Sequence, residues 1–176
     1  GGGPAGMEAA RVAALRGHEV VLFEKERRLG GLMRLAYMVK NPGIEDLQAI
    51  INYLSTQLAK LGVDIRLGNK FTPSDIEKLK PDAVIVAAGG IAVLPELPGV
   101  RSSNVMGMPE LHKMLKTFLK FLKPGMIKPL TRVWMPVRKR VVIIGGGLHG
   151  LELAEFLTKA GRKVSIVDTA PTLADN

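Results

Sequence analysis

The 176 residues suffice for one ordinary domain or two small ones, and a hydrophobic fraction of 47% marks a chain that buries a core. The absence of cysteine excludes disulfides, thiolate nucleophiles and Cys-ligated zinc or iron–sulfur sites from this segment, and three scattered histidines (His18, His112, His149) make no metal site. The formal net charge of +9 is local: residues 112–140 hold nine of the 25 Lys and Arg with no Asp or Glu, and the rest of the chain is balanced.

No run approaches the roughly 18 apolar residues of a membrane span, and no signal-peptide layout opens the chain, so a cytoplasmic location is expected. Gly1, Gly3 and Gly6 form a glycine-rich turn that opens a helix, Gly17 ends that helix, and Val20–Glu24 is a strand. Leu29-Gly30-Gly31-Leu32 reads as a turn. Leu47, Ile50, Ile51, Leu54, Leu58 and Leu61 recur at helical spacing before the C-capping Gly62. Val63–Leu67 is a short strand ended by Gly68, and Thr72-Pro73-Ser74-Asp75 starts a helix with a capping hydroxyl and an early acid. Pro81-Asp82 breaks that helix, and Ala83–Ala88 is a fully apolar strand running into Gly89-Gly90.

Strands and helices alternating in this order imply an α/β fold, a parallel sheet with helices on both faces. Leu94–Gly99 is a linker by composition and bounds a first domain, 1–99. Residues 110–123 then follow a helical pattern in which Leu111, Met114, Leu115, Phe118, Leu119 and Leu122 share one face and Lys113, Lys116, Lys120 and Lys123 surround it. A basic insertion, 100–139, precedes the start of a second domain, 140–176, which opens on the buried-strand run Arg140–Ile144.

The chain repeats itself at an offset of 144 residues. Gly1, Gly3, Gly6, Glu8, Ala10, Gly17 and Glu24 fall in register with Gly145, Gly147, Gly150, Glu152, Ala154, Gly161 and Asp168. Each copy is a GxGxxG that opens a helix, with an acid 18 residues after its last glycine. This is the dinucleotide fingerprint of Rossmann-like βαβ units. The first glycine makes the tight turn, the second lets a pyrophosphate approach bare backbone, and the third lets the helix pack on the strand. The helix N-terminus holds the phosphates, and the acid accepts from a ribose diol. The first motif has no strand before it and the second copy stops shortly past its acid, so the chain reads as a fragment truncated at both ends. A further reading has strand 140–144 fill the sheet position before Gly1, making one composite domain.

With the two fingerprints, the Leu29–Leu32 turn, Ala83–Gly90 and Leu97-Pro98-Gly99 in place, the chain resembles the two-dinucleotide-binding-domain flavoprotein reductases. Among these it is most similar to the C-terminal half of the old-yellow-enzyme-like NADH:flavin oxidoreductases, the branch of 2,4-dienoyl-CoA reductase and trimethylamine dehydrogenase. The likeness covers all but about residues 102–138. It implies that Gly1, Gly3, Pro4, Ala5 and Gly6 bind the FAD pyrophosphate and that Glu24 holds the adenosine ribose. Lys25, Gly30 and Gly31 then lie beside adenosine and pyrophosphate, and the backbone of Lys70 and Phe71 lies at the adenine. Ala88 and Gly89 stand at the cofactor where the family has Ala-Thr-Gly, here without the hydroxyl, and Leu32 stands where a polar residue is usual. In the second unit Gly145, Gly147 and Gly150 are implied to bind NAD(H) phosphates, Glu152 to stand near nicotinamide, and Asp168 to favour NADH by repelling a 2′-phosphate. His149 stands where the family has a small or apolar residue.

The resemblance further implies a separate N-terminal barrel carrying FMN, an iron–sulfur cluster and the substrate site, with the present half taking hydride from NADH onto FAD and passing electrons on. It implies a homo-oligomer, and it assigns no catalytic acid or base and no metal here, so that the fragment alone is inactive. Two readings of other classes stay open: a non-catalytic module holding ADP as a structural ligand, and a docking module acting through 110–140. For the basic segment the leading reading is an insertion whose apolar face packs on the barrel or on another subunit. An anionic membrane surface or an electrostatic role toward anionic cofactors comes second, and nucleic acid is disfavoured by the scarcity of aromatics.

Overall fold

The computed structural model describes residues 1–39, 46–121 and 137–173. They form two compact units, one made of Gly1–Tyr37 and Asp46–Leu111 and the other of Met38, Val39 and the described residues from His112 onward. Each is a parallel strand pair packed with helices, an α/β architecture.

In the first unit α1 (Pro4–Leu15) begins with a proline whose fixed φ suits a first helical turn. It ends where Gly17, at φ +85°, donates to Ala14 O at 3.0 Å and His18 donates to Ala13 O at 3.2 Å. β1 (Val21–Glu24) pairs in parallel with β2 (Asp64–Leu67), in register from Val21↔Asp64 to Glu24↔Leu67. Between them lie α2 (Met33–Val39) and α3 (Leu47–Lys60). Asp46 caps α3, its Oδ1 accepting from the Ala49 N–H at 2.8 Å. Met7 and Ala10 of α1, Leu22 of β1, Leu54 and Leu58 of α3, and Val63 make the core. The helical stripe read in the sequence is therefore narrower in the fold: Ile51, Leu54 and Leu58 are buried, while Ile50 is 45% exposed. α4 (Pro73–Leu79) follows β2, with the Asp75 carboxylate accepting from the Thr72 N–H at 2.7 Å in the second half of a capping box.

Ala83–Ala88 departs from expectation. It forms no strand and has no ladder partner among the described residues, and Ile85 and Val86 are 64% and 84% exposed. Apolar composition marks a segment fit for a central strand, but a strand exists only through the hydrogen bonds of a neighbour.

The second unit is one βαβ element: β3 (Arg140–Ile144), α6 (Leu148–Lys159) and β4 (Lys163–Val167). β3 and β4 pair in parallel from Arg140↔Lys163 to Ile144↔Val167. Ile143 packs with Ala154 and Leu157 of α6, while Val142 and Ile144 on the opposite face are 65% and 66% exposed. The apolar run read as a strand buried on both faces is thus covered on one. β1 and β2 make one two-stranded sheet and β3 and β4 another. The helix expected in the basic segment is α5 (Met108–Phe121), and the rest of that segment through residue 136 lies outside the described residues. Among the described residues no helix is long and apolar enough to cross a membrane.

Leu58 of α3 is fully buried in the first core. Leu58→Ala is expected to lower the unfolding free energy by about 2–5 kcal/mol, read by chemical denaturation, whereas Ile50→Ala should cost much less. Equal effects at the two positions would contradict the packing described.

Candidate functional site

The two glycine turns are built alike. At each, the third glycine is where chain meets chain: a Cβ on Gly6 would overlap the carbonyl oxygen of Gly1, and one on Gly150 that of Gly145. The second glycine of the fingerprint is the opposite case. Nothing lies within 4 Å of a Cβ built on Gly147, and only Gly31 Cα, at 4.0 Å, approaches one built on Gly3. Each of these open residues is the N-cap of the following helix, in extended backbone, with no side-chain cap bond and no acid in the first turn. α1 and α6 therefore begin with backbone N–H groups that no side chain of the cap or first turn satisfies, at glycines where a Cβ would meet little or nothing of the protein. α3 and α4 are finished differently, by Asp46 and by Thr72 with Asp75.

The acids close the turns. Glu24, at the end of β1 and only 7% exposed, accepts from the Gly2 N–H through Oε2 at 2.6 Å and from the Glu26 N–H through Oε1 at 2.7 Å. Asp168, just after β4, accepts from the Gly146 N–H through Oδ2 and from the Ala170 N–H through Oδ1 at 2.9 Å. The Ala170 and Gly146 amides together hold the Asp168 carboxyl below the usual carboxylate range.

In the first unit Gly1, Gly3, Pro4, Ala5 and Gly6 form the turn and the start of α1. Gly30, at φ +107°, donates its N–H to Gly2 O at 2.8 Å, and a Cβ on Gly31 would stand 3.0 Å from Gly3 Cα, so the second turn lies directly against the first. Lys25 is exposed beyond β1. Lys70 and Phe71 are tied to the same strand end, because Asn69 donates to Glu24 O at 3.0 Å and the Phe71 ring meets Phe23 edge-on at 5.0 Å. Ala88 comes within reach of Gly1, since its Cα is 3.3 Å from a Cβ built there, while Gly89 has open space around it at φ +79°. In the second unit Gly145, at φ +111°, donates to Val167 O at 2.9 Å, Gly147 and Gly150 bracket the start of α6, Glu152 is half-buried two residues further on, and His149 is exposed.

Sequence reasoning missed the role of the middle residue of each turn, Gly2 or Gly146, whose N–H goes to the acid. The available signal was the equal 22-residue separation of Gly2 from Glu24 and of Gly146 from Asp168.

Two glycine turns of this form, each with an uncapped helix start and an acid at the next strand end, have the pattern of a dinucleotide-binding domain. The chain belongs to the pyridine nucleotide-disulphide oxidoreductase family, whose sequence pattern matches residues 1–176. It is 40% identical over 174 residues to bilirubin reductase of Mediterraneibacter gnavus, covering 99% of this chain and 24% of that protein. It is 36% identical over 174 residues to NADH oxidase of Thermoanaerobacter brockii, with the same coverage of 99% and 24%. Among solved structures, a 2-naphthoyl-CoA reductase complex with 2-naphthoyl-CoA superposes with a TM-score of 0.77 at 28% identity, over 99% of this chain and 23% of that one. The chain thus spans about a quarter of the length of these relatives.

The bound state of Asp168 has a consequence with a definite sign. A folded-state pKa below the unfolded one contributes stability that is present above the ordinary aspartate range and is lost as pH falls through the depressed value. The stability difference between the parent and Asp168→Asn, followed by urea midpoints, should therefore be constant near neutrality and close in strongly acidic solution. A difference that instead grows on acidification would contradict the hydrogen bonding at this carboxylate.

Proposed function

We propose that residues 1–99 form a binding domain for FAD, or for ADP in the same site, that 100–139 are an insertion, and that 140–176 begin an NAD(H)-binding domain. The single observation that carries this reading is the pair of glycine turns whose open positions, Gly3 and Gly147, face uncapped helix starts. A pyrophosphate meets both requirements of such a place, negative charge for the unsatisfied N–H groups and a close approach that any Cβ would block.

In the first unit Gly1, Gly3, Pro4, Ala5 and Gly6, with Gly30 and Gly31 behind them, cradle the pyrophosphate. Glu24 accepts from the adenosine ribose, Lys25 lies beside it, Lys70 and Phe71 flank the adenine, and Ala88 and Gly89 line the approach to the rest of the cofactor. In the second unit Gly145, Gly147 and Gly150 receive the phosphates, Glu152 lies toward the nicotinamide, and Asp168 accepts from the ribose diol. The negative charge of Asp168 disfavours a 2′-phosphate, which supports NADH over NADPH. FAD and NADH supply hydride-transfer chemistry when bound, and the chain supplies binding, orientation and electrostatics, with no acid or base of its own. The whole protein is then a flavin-dependent oxidoreductase that takes hydride from NADH onto FAD. Its electrons pass to a separate FMN and iron–sulfur domain that holds the substrate, in a homo-oligomer located in the cytoplasm. The length of the relatives, about four times this chain, supports such an additional domain.

Gly3→Ala and Gly147→Ala test the cradle. Both residues have backbone angles that alanine adopts; a methyl on Gly147 meets no protein atom within 4 Å and one on Gly3 meets only Gly31 Cα, at an ordinary 4.0 Å. Each variant should stay within about 0.5 kcal/mol of the parent in stability. Gly3→Ala should lose roughly 10- to 100-fold in affinity for ADP, and Gly147→Ala as much for NADH, the scale of lost hydrogen bonds to a charged group. Unchanged affinities measured by calorimetry would overturn the site. For the redox reading, NADH added anaerobically to the full-length protein should bleach its flavin band. A colourless protein that retains ADP would overturn that reading in favour of a structural nucleotide.

A further inference from the structure

The structural repeat runs past the two fingerprints. We propose that Leu29 and Leu173 are positioning residues of the two nucleotide turns. Each covers the hydrogen bond by which the acid five residues earlier holds the turn, so that turn and acid are set as one clasp before a nucleotide enters. This rests on the nucleotide-binding reading above.

Four features coincide at the same spacing in both units. The middle glycine donates its N–H to the acid 22 residues on. The other carboxylate oxygen accepts from the N–H two residues past the acid, from Glu26 in one unit and Ala170 in the other. A leucine follows the acid by five residues. Its Cδ2 occupies the space a side chain on the middle glycine would need: a Cβ on Gly2 would stand 2.6 Å from Leu29 Cδ2, and one on Gly146 would overlap Leu173 Cδ2. A Cβ on Gly146 would also come 3.1 Å from Asp168 Oδ2, so leucine and carboxylate converge on the space beside this glycine.

The physical effect follows from this convergence. A carboxylate bonded at both oxygens has one orientation. A leucine methyl against the glycine keeps water from the near side of the amide–carboxylate bond, and a bond in lower local dielectric is stronger. The adjacent glycine, Gly3 or Gly147, is left open, so the clasp fixes the turn without filling the cradle. The two clasps differ in their backing. Leu29 packs against the core of the first unit, whereas Leu173 is 50% exposed. The first is anchored in the core; the second is covered by a side chain half in water and opens more readily.

Leu173 is the position to test, because its exposure keeps an alanine variant folded. In Leu173→Ala the Gly146 amide proton resonance should move upfield and exchange with solvent roughly fivefold faster, and NADH affinity should fall by a similar factor, the scale of an ordinary net hydrogen bond. Leu173→Met should restore all three. In the parent, the Gly146 resonance should titrate with Asp168, a signature that simple packing would not produce. A Gly146 amide unchanged in Leu173→Ala, or not restored in Leu173→Met, overturns the clasp whatever the nucleotide does. A parent protein in which NADH moves no resonance of the second unit overturns the nucleotide reading instead, and the amide of Gly146 still decides whether the clasp exists.

Discussion

Both nucleotide turns depend on one hydrogen bond, from a backbone amide to a carboxylate 22 residues away. It joins the end of one strand to the turn that enters a helix, across a helix and a strand of intervening chain. It helps order a run of glycines, and glycine gives up more conformational freedom on ordering than any other residue. A carboxylate that also accepts from the amide two residues past itself cannot rotate away, so the turn inherits the rigidity of the strand that carries the acid.

What this arrangement leaves unsatisfied is as informative as what it satisfies. α3 and α4 finish their first turns with side chains. α1 and α6 start on a glycine, follow it with no acid, and keep the space in front of it clear. Helix starts of that kind lack the usual stabilisation of side-chain capping, and a bound pyrophosphate would supply it. Binding of such a group would therefore be linked to local stability at these two places, as it is wherever a ligand completes an unsatisfied site.

On the proposed reading, the chain needs no catalytic acid or base of its own. Hydride transfer between nicotinamide and flavin is chemistry that the cofactors carry, and a protein serving it has to hold two dinucleotides in place and order their polar ends. Backbone amides, glycines and two carboxylates suffice for that.

Local structure was legible in the amino-acid order to the extent that it depends on neighbours in sequence. The helix over Leu47–Lys60 follows from apolar spacing and a glycine stop, the helix at Pro73 from Thr72 and Asp75, and the two turns from their glycines and the acids 18 residues on. Partners distant in sequence were not legible in that way. Ala83–Ala88 has the composition of a central strand and forms none, because strand pairing depends on which hydrogen-bonding edge lies alongside. Val142 and Ile144 are as apolar as Ile143 and remain exposed, because burial depends on which face a helix covers. Within the site, the glycines and acids were found from their spacing, whereas the amides of Gly2 and Gly146 and the side chains of Leu29 and Leu173 were not. The sequence alone determined that the chain carries two dinucleotide fingerprints, since those turns are set by backbone sterics at glycine. Only the tertiary structure decided how each turn is closed, since closure is made by an amide and a methyl group that composition does not distinguish from any other.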